Sequence, residues 1–184
     1  ISIEQKNTSK NPRSTVATVT EIYDYMRVLF ARVGIPYSPF TGKPIVSQPI
    51  SEMVDKIKKL PKDSTIYLLA PIVRGRKGEY KKEILNYKKR GFTKIKVDGK
   101  YLNIDEFPNL NKKIKHEISI IVDRVILNSS LGNRLPDSVE TAVNLSNGLL
   151  VVEYENETLP KKFRKRETIT FSSKFSCPES GFTI

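Results

Sequence analysis

Cys177 and His116 are the only cysteine and the only histidine among 184 residues, and they bound the metal and nucleophile chemistry open to the chain. A structural zinc takes four Cys or His ligands, and these two lie far apart in sequence. Cys177-Pro178-Glu179-Ser180-Gly181 has the shape of half a zinc knuckle, Cys-Pro-x-Cys-Gly, with Ser180 in the second ligand position. Ser38-Pro39-Phe40-Thr41-Gly42 has the same shape with both ligand positions lost. Bound zinc is therefore not expected, although both turns can form without it. Cys177 has no neighbouring His to activate it. His116, at the start of an amphipathic strand, reads as a structural or surface histidine. No carboxylate pair forms a recognisable pocket motif, and no Gly-x-x-x-x-Gly-Lys-Ser/Thr loop is present to hold a nucleotide. The chain is not expected to be an enzyme.

The cations are more informative. The net charge is +12, and from Ile72 to Lys115 there are 14 Lys and Arg against 5 Asp and Glu. A second basic knot holds Lys161, Lys162, Arg164, Lys165 and Arg166. Such charge is either a solvated lysine-rich surface or the footprint of an acidic partner, nucleic acid or protein. Arg74, Arg76 and Lys77 fall in a glycine-punctuated run that reads as a loop between a strand and a helix. Lys94 and Lys96 project from the same side of one strand. Arg124 interrupts an apolar strand just after Asp123, so its guanidinium is either paired internally or presented to a partner, and the partner is the preferred reading. No aromatic stacking platform accompanies these cations, which counts against direct nucleic-acid binding through residues 72–115.

The elements that position these residues follow from periodicity. Thr18 and Glu21 suit a capping box, and Ile22, Met26, Leu29, Phe30 and Val33 then recur at helical spacing as a core stripe, ended by Gly34. Residues 34–49 hold four prolines and form the best candidate boundary. A short helix is expected over 51–60, a strand over 65–73, a helix over 79–90 and a strand over 92–97. Asp98-Gly99 signals a two-residue hairpin into a strand over 100–104. The strand over 116–127 is apolar on both sides, with Ile118, Ile120 and Val122 on one face and Ile121, Val125 and Leu127 on the other, as in a central strand. A helix over 137–146 and strands over 149–154 and 168–171 complete an α+β fold, a mixed sheet with packed helices. Hydrophobic content of 38% and charged content of 28% suit a globular chain, no apolar run reaches membrane-spanning length, and the lone cysteine fits a reducing, cytoplasmic setting.

Several segments, in order, resemble the UvrA family, the DNA-repair ATPases of the ABC excinuclease. They are Ile1–Lys6, Asn11–Val16, Thr20–Ile22, Leu69–Glu79, Val97–Gly99, Val122–Arg124, Asp137–Ala142 and Phe175–Pro178. The resemblance runs over the whole chain and implies an excised piece of a larger machine. It implies that residues 1–36 are a strip of the ABC-type ATP-binding and signature region with an N-terminal helix, 37–176 a UvrB-binding interaction domain, and 177–184 a return to the signature region with a degenerate zinc knuckle. Gln5 would be an ATP-site glutamine of the full protein, Cys177 a remnant zinc-ligand position, and the full protein a DNA-binding, homodimeric ATPase with ATP and zinc as cofactors. The partner implied for this piece is UvrB, met by a basic face on which Lys94 and Arg124 match the family's basic positions, with Lys96, Arg74, Arg76 and Lys77 in support.

Overall fold

The computed structural model describes residues 20–42, 44–45, 47–128, 131–155 and 166–174. Its centre is one six-stranded antiparallel sheet with two helices on one side. The elements are α1 (Ile22–Val33), α2 (Ile50–Lys58), β1 (Thr65–Lys77), α3 (Lys81–Lys89), β2 (Lys94–Val97), β3 (Lys100–Asn103), a 3-10 turn (Ile104–Glu106), β4 (Lys115–Ile126), α4 (Arg134–Leu145), β5 (Leu149–Glu155) and β6 (Arg166–Ser172). Strand order is β3-β2-β4-β1-β5-β6, so the expected α+β fold is observed and β4 is an interior strand.

Amphipathic helices build the core. Met53, Val54 and Ile57 face inward from α2, and Leu135, Val139, Ala142 and Val143 from α4. They meet Ile66, Leu68 and Ala70 of β1, Ile118, Ile120 and Val125 of β4, and Leu150 and Val152 of β5. Burying side chains of this size stabilises by about 1.5–3 kcal/mol each before conformational entropy is counted.

The face assignment expected for β4 is corrected by a bulge. Leu68 pairs with Asp123 but Leu69 pairs with Ile121, so Val122 is an extra residue. One inserted residue flips the alternation. Ile118 and Ile120 therefore share the helix-covered side with Val125 and Leu127, while Ile121 and Arg124 fall on the other.

The Arg74–Lys77 run is likewise strand rather than loop. β1 continues to Lys77, paired with Lys115; after a register shift between Pro71 and Val73, Arg74-Gly75 is accommodated as a third irregularity between the Val73–Ile118 and Arg76–His116 pairs. Gly75 sits at φ 57°, a left-handed conformation that favours glycine and lets the strand resume. Asp98 and Gly99, at φ 46° and 83°, form the expected tight hairpin turn between β2 and β3.

The stripe on α1 is not core. None of its residues is buried, and Tyr25, Val28, Phe30 and Val33 are well exposed. Thr18 of the expected capping box lies outside the described residues. The turn at Ser38–Gly42 is closed by its own hydrogen bonds. The Ser38 hydroxyl accepts the Phe40 and Thr41 amides at 3.4 and 3.3 Å, and the Gly42 amide donates to the Ser38 carbonyl at 2.8 Å.

Candidate partner-binding trough

The side of the sheet away from α2 and α4 is concave. β3 and β6 are its two edge strands, five ladder steps apart, which in a flat sheet is about 24 Å. Yet the Arg166 guanidinium on β6 lies 4.6 Å from the ring centroid of Tyr101 on β3. The sheet therefore curls until its edges approach across this side. Leu69 and Ile121, at 1% and 7% exposure despite pointing away from the helices, lie in the resulting trough.

Two tyrosines and three exposed cations converge there. Tyr67 of β1 and Tyr101 of β3 have ring centroids 5.4 Å apart at a 56° tilt. The Arg166 guanidinium lies 5.0 Å from the Tyr67 centroid and the Arg124 guanidinium 5.7 Å from it. Tyr67 is the direct cross-strand neighbour of Arg124 on one side and Glu153 on the other. With Lys94, Leu102 and Asn103 these residues line a hollow of about 400 Å³. Cations over tyrosine faces are attracted by the ring quadrupole, by about 0.5–1 kcal/mol where exposed. The rings thus hold the guanidiniums in place without neutralising them.

Glu106 lines the hollow beside the cations and Glu117 the neighbouring one, but the buried carboxylate of the trough is committed internally. Glu153, buried to 4% exposure, accepts from Lys96 Nζ and from the Tyr101 hydroxyl. Burial, and then the adjacent Glu153 carboxylate, push the Tyr101 phenol well above its ordinary range, so it remains a donor at any physiological pH. Arg166 reaches Glu155 only at 3.9 Å, a long and half-open pair. Among the described residues neither Arg124 nor Lys94 is in an ion pair. The face is organised to attract anions while its own buried acid is consumed.

Asp123 explains why Arg124 is available. It lies on the helix side of β4, where Arg134 donates to it through Nε at 2.9 Å and Nη2 at 2.8 Å. Ser138 Oγ donates at 2.9 Å and the Arg124 amide at 2.8 Å. The Arg134 hydrogen bonds hold its carboxyl below the usual range against an opposing effect of burial, with Ser138 and the Arg124 amide assisting. The carboxylate next to Arg124 in sequence therefore serves α4, and the Arg124 side chain points the other way.

The six expected partner-binding residues divide between two places. Lys94 and Arg124 meet in the hollow beside the tyrosines. Lys96 and Arg74 line a second, polar hollow of about 470 Å³ along the same trough, with Lys96 engaged by Glu153. Arg76 and Lys77 lie beyond it, at the end of β1. Gln5 and Cys177 lie outside the described residues, as do Lys161, Lys162, Arg164 and Lys165 of the second basic knot. The expectation of no aromatic platform is overturned by Tyr67 and Tyr101, which are remote in sequence and become neighbours only through the curl. Tyr67, Tyr101 and Glu153 carry no mark of a site in the sequence pattern, and Arg166 stands out there only as part of the knot.

The family model described as the UvrA interaction domain matches residues 48–156, which include every strand of the trough but β6. The chain belongs to the UvrA interaction domain family. Among similar proteins, the UvrABC system protein A of Rickettsia felis is 58% identical over the whole chain, that of Rickettsia typhi 57%, and that of Mesorhizobium japonicum 55%. The chain spans about 20% of the length of each. As a UvrA interaction domain it is an interaction module within UvrA.

Proposed function

We propose that this chain docks UvrB through the trough, with Arg124, Arg166 and Lys94 receiving acidic side chains of the partner. The observation that carries the reading is the pairing pattern. Three exposed cations converge on two tyrosines, and the buried Glu153 is already satisfied by Lys96 and Tyr101. A guanidinium held over a ring has lost rotamer freedom before binding, so less entropy is lost when a carboxylate arrives. The apolar floor of Leu69 and Ile121 offers area for an aliphatic or aromatic anchor beside the charges.

Calorimetry with purified UvrB tests the assignment. Removing one partner of a desolvated interfacial charge pair costs about 2–5 kcal/mol, so Lys94→Glu with Arg124→Glu is expected to abolish binding while thermal melting stays cooperative. Unchanged affinity would place the interface elsewhere.

For the longer protein, the family resemblance alone supports ATP binding with Gln5 near the γ-phosphate, zinc with Cys177 as one ligand, DNA binding, homodimerisation and a cytoplasmic setting. The piece itself carries no Gly-x-x-x-x-Gly-Lys-Ser/Thr loop and is proposed to have no ATPase activity. Among the described residues no helix is long and apolar enough to cross a membrane.

A further inference from the structure

One end of the sheet, away from the paired tyrosines, gathers cations from four separate segments. Antiparallel pairing brings the end of β1 against the start of β4, with Arg76 opposite His116 and Lys77 opposite Lys115. The β2–β3 turn comes to the same end, because Val97 pairs with Ile118, and it carries Lys100. The turn leading into β4 carries Lys112 and Lys113. Arg76, Lys77, Lys100, Lys112, Lys113 and Lys115 are all exposed, and among the described residues none is in an ion pair. The acids at this end are Asp98, Glu117 and Glu79.

His116 holds this array together. Its side chain is 2% exposed. Nδ1 lies 2.8 Å from Asp98 Oδ2 and Nε2 lies 2.9 Å from the Asn111 carbonyl oxygen. A carbonyl oxygen only accepts, and an ionised carboxylate only accepts, so both ring nitrogens are placed to donate. One imidazole thereby ties the β2–β3 turn and the 107–114 segment to β4. Asp98 Oδ1 also accepts the Glu117 amide at 2.8 Å, and Asn111 Oδ1 accepts the Lys113 amide at 3.0 Å. Of the three acids, Asp98 is thus consumed in the scaffold. Six cations on turns and strand ends are costly neighbours for one another, and a buried clasp that fixes them together is understandable if a polyanion relieves the repulsion.

We propose that this pole binds the phosphate backbone of duplex DNA, as a surface that adjoins the protein-docking trough at Gly99 and Glu117. The chemistry favours backbone over bases. The pole presents lysine and arginine on strand ends and turns, while the paired tyrosine rings lie in the trough, so it offers charge for phosphates and no stacking platform for unpaired bases. Lysine dominates, as suits point-charge contact with phosphates rather than bidentate reading of base edges.

Fluorescence anisotropy of the 184-residue chain with a labelled duplex of about 30 base pairs, titrated from roughly 50 to 200 mM salt, tests this. The chain is expected to bind with affinity that falls steeply with salt. Lys77→Glu with Lys112→Glu and Lys113→Glu should weaken binding at least about tenfold and flatten the logarithmic salt slope by roughly 0.9 for each phosphate no longer neutralised. Arg124→Glu should change DNA affinity less than about twofold while impairing the trough. If circular dichroism shows the triple variant unfolded, Lys112→Gln with Lys113→Gln decides, with a smaller loss in the same direction. Four results would overturn the proposal. They are no binding at the lowest salt, variant binding equal to that of the unaltered chain, equal loss with Arg124→Glu, or tighter binding of polyglutamate of matched charge, which would point to an acidic protein instead.

Discussion

The Arg166 guanidinium on one edge strand stands 4.6 Å from the ring centroid of Tyr101 on the opposite edge strand. Two strands that share no ladder hydrogen bond are thus joined through side chains alone. Arg166→Ala removes the cation shared by Tyr67 and Tyr101 and opens the trough along this seam. Cation–ring contacts at exposed sites contribute about 0.5–1 kcal/mol each, so a loss of stability near 1 kcal/mol is expected in urea unfolding. UvrB affinity should fall by about tenfold in calorimetry, a larger effect than the stability change. Equal affinity of the variant would remove Arg166 from the docking surface.

Glu153, Lys96 and Tyr101 form a buried unit and should behave as one. Glu153→Ala leaves the Lys96 ammonium, 23% exposed, without its carboxylate and deprives the Tyr101 hydroxyl of its acceptor. Breaking one side of such a pair costs about 3–5 kcal/mol. Lys96→Ala should cost a similar amount by stranding Glu153. The double variant should cost clearly less than the sum of the singles, and additive losses would show that the three act independently.

His116 gives the stability a pH dependence of known sign. The hydrogen bond to Asp98, followed by that to the Asn111 carbonyl, raises its pKa above the ordinary value. A raised folded pKa means that the contribution is complete below the unfolded value near 6.5 and is lost as pH rises through the folded value. The unfolding free energy of the unaltered chain relative to His116→Gln should therefore shrink as pH rises above the unfolded value and through the folded one. Burial pushes the Asp98 carboxyl up, but the Glu117 amide and His116 outweigh it and leave it lowered. Its contribution is present above the unfolded carboxylate value and disappears as pH falls through the folded one.

Asp123→Ala should cost about 1–2 kcal/mol, because it withdraws the acceptor from Ser138 and from the Arg124 amide, while the exposed Arg134 is rehydrated. Its lowered pKa makes this contribution present above about pH 4 and lost as pH falls through the folded value. Variant and unaltered chain should then draw together in stability as pH falls through the folded value, as measured by chemical denaturation.

Much of this arrangement is legible in the residues, and the rest fails for identifiable reasons. Asp98-Gly99 marks its turn unambiguously because few dipeptides tolerate two left-handed conformations. The apolar spacing of Val139, Ala142 and Val143 likewise fixes the inward face of α4. The extra residue Val122 leaves no trace in an apolar run, so the faces of β4 are misassigned beyond it. Arg74–Lys77 looks like a loop because glycine is read as punctuation, whereas here it closes a bulge inside a long strand. Lys94 and Arg124 stand out as cations set among apolar strand residues. Tyr67, Glu153 and Arg166 do not, since only curvature of the whole sheet brings them together, and curvature is a property of twist and bulges rather than of any local pattern.

The bare helix α1 has a consequence for how the chain behaves in solution. Its apolar side chains, Tyr25, Val28, Leu29, Phe30 and Val33 among them, are open to water and contribute nothing to the buried core, which begins at Ser38 and Ile45. Folding strength and colloidal behaviour are therefore carried by different parts of the molecule. A chain starting at Ile35 keeps the Pro36 carbonyl that accepts the Ile45 amide and is expected to hold its melting temperature while presenting less apolar surface to water.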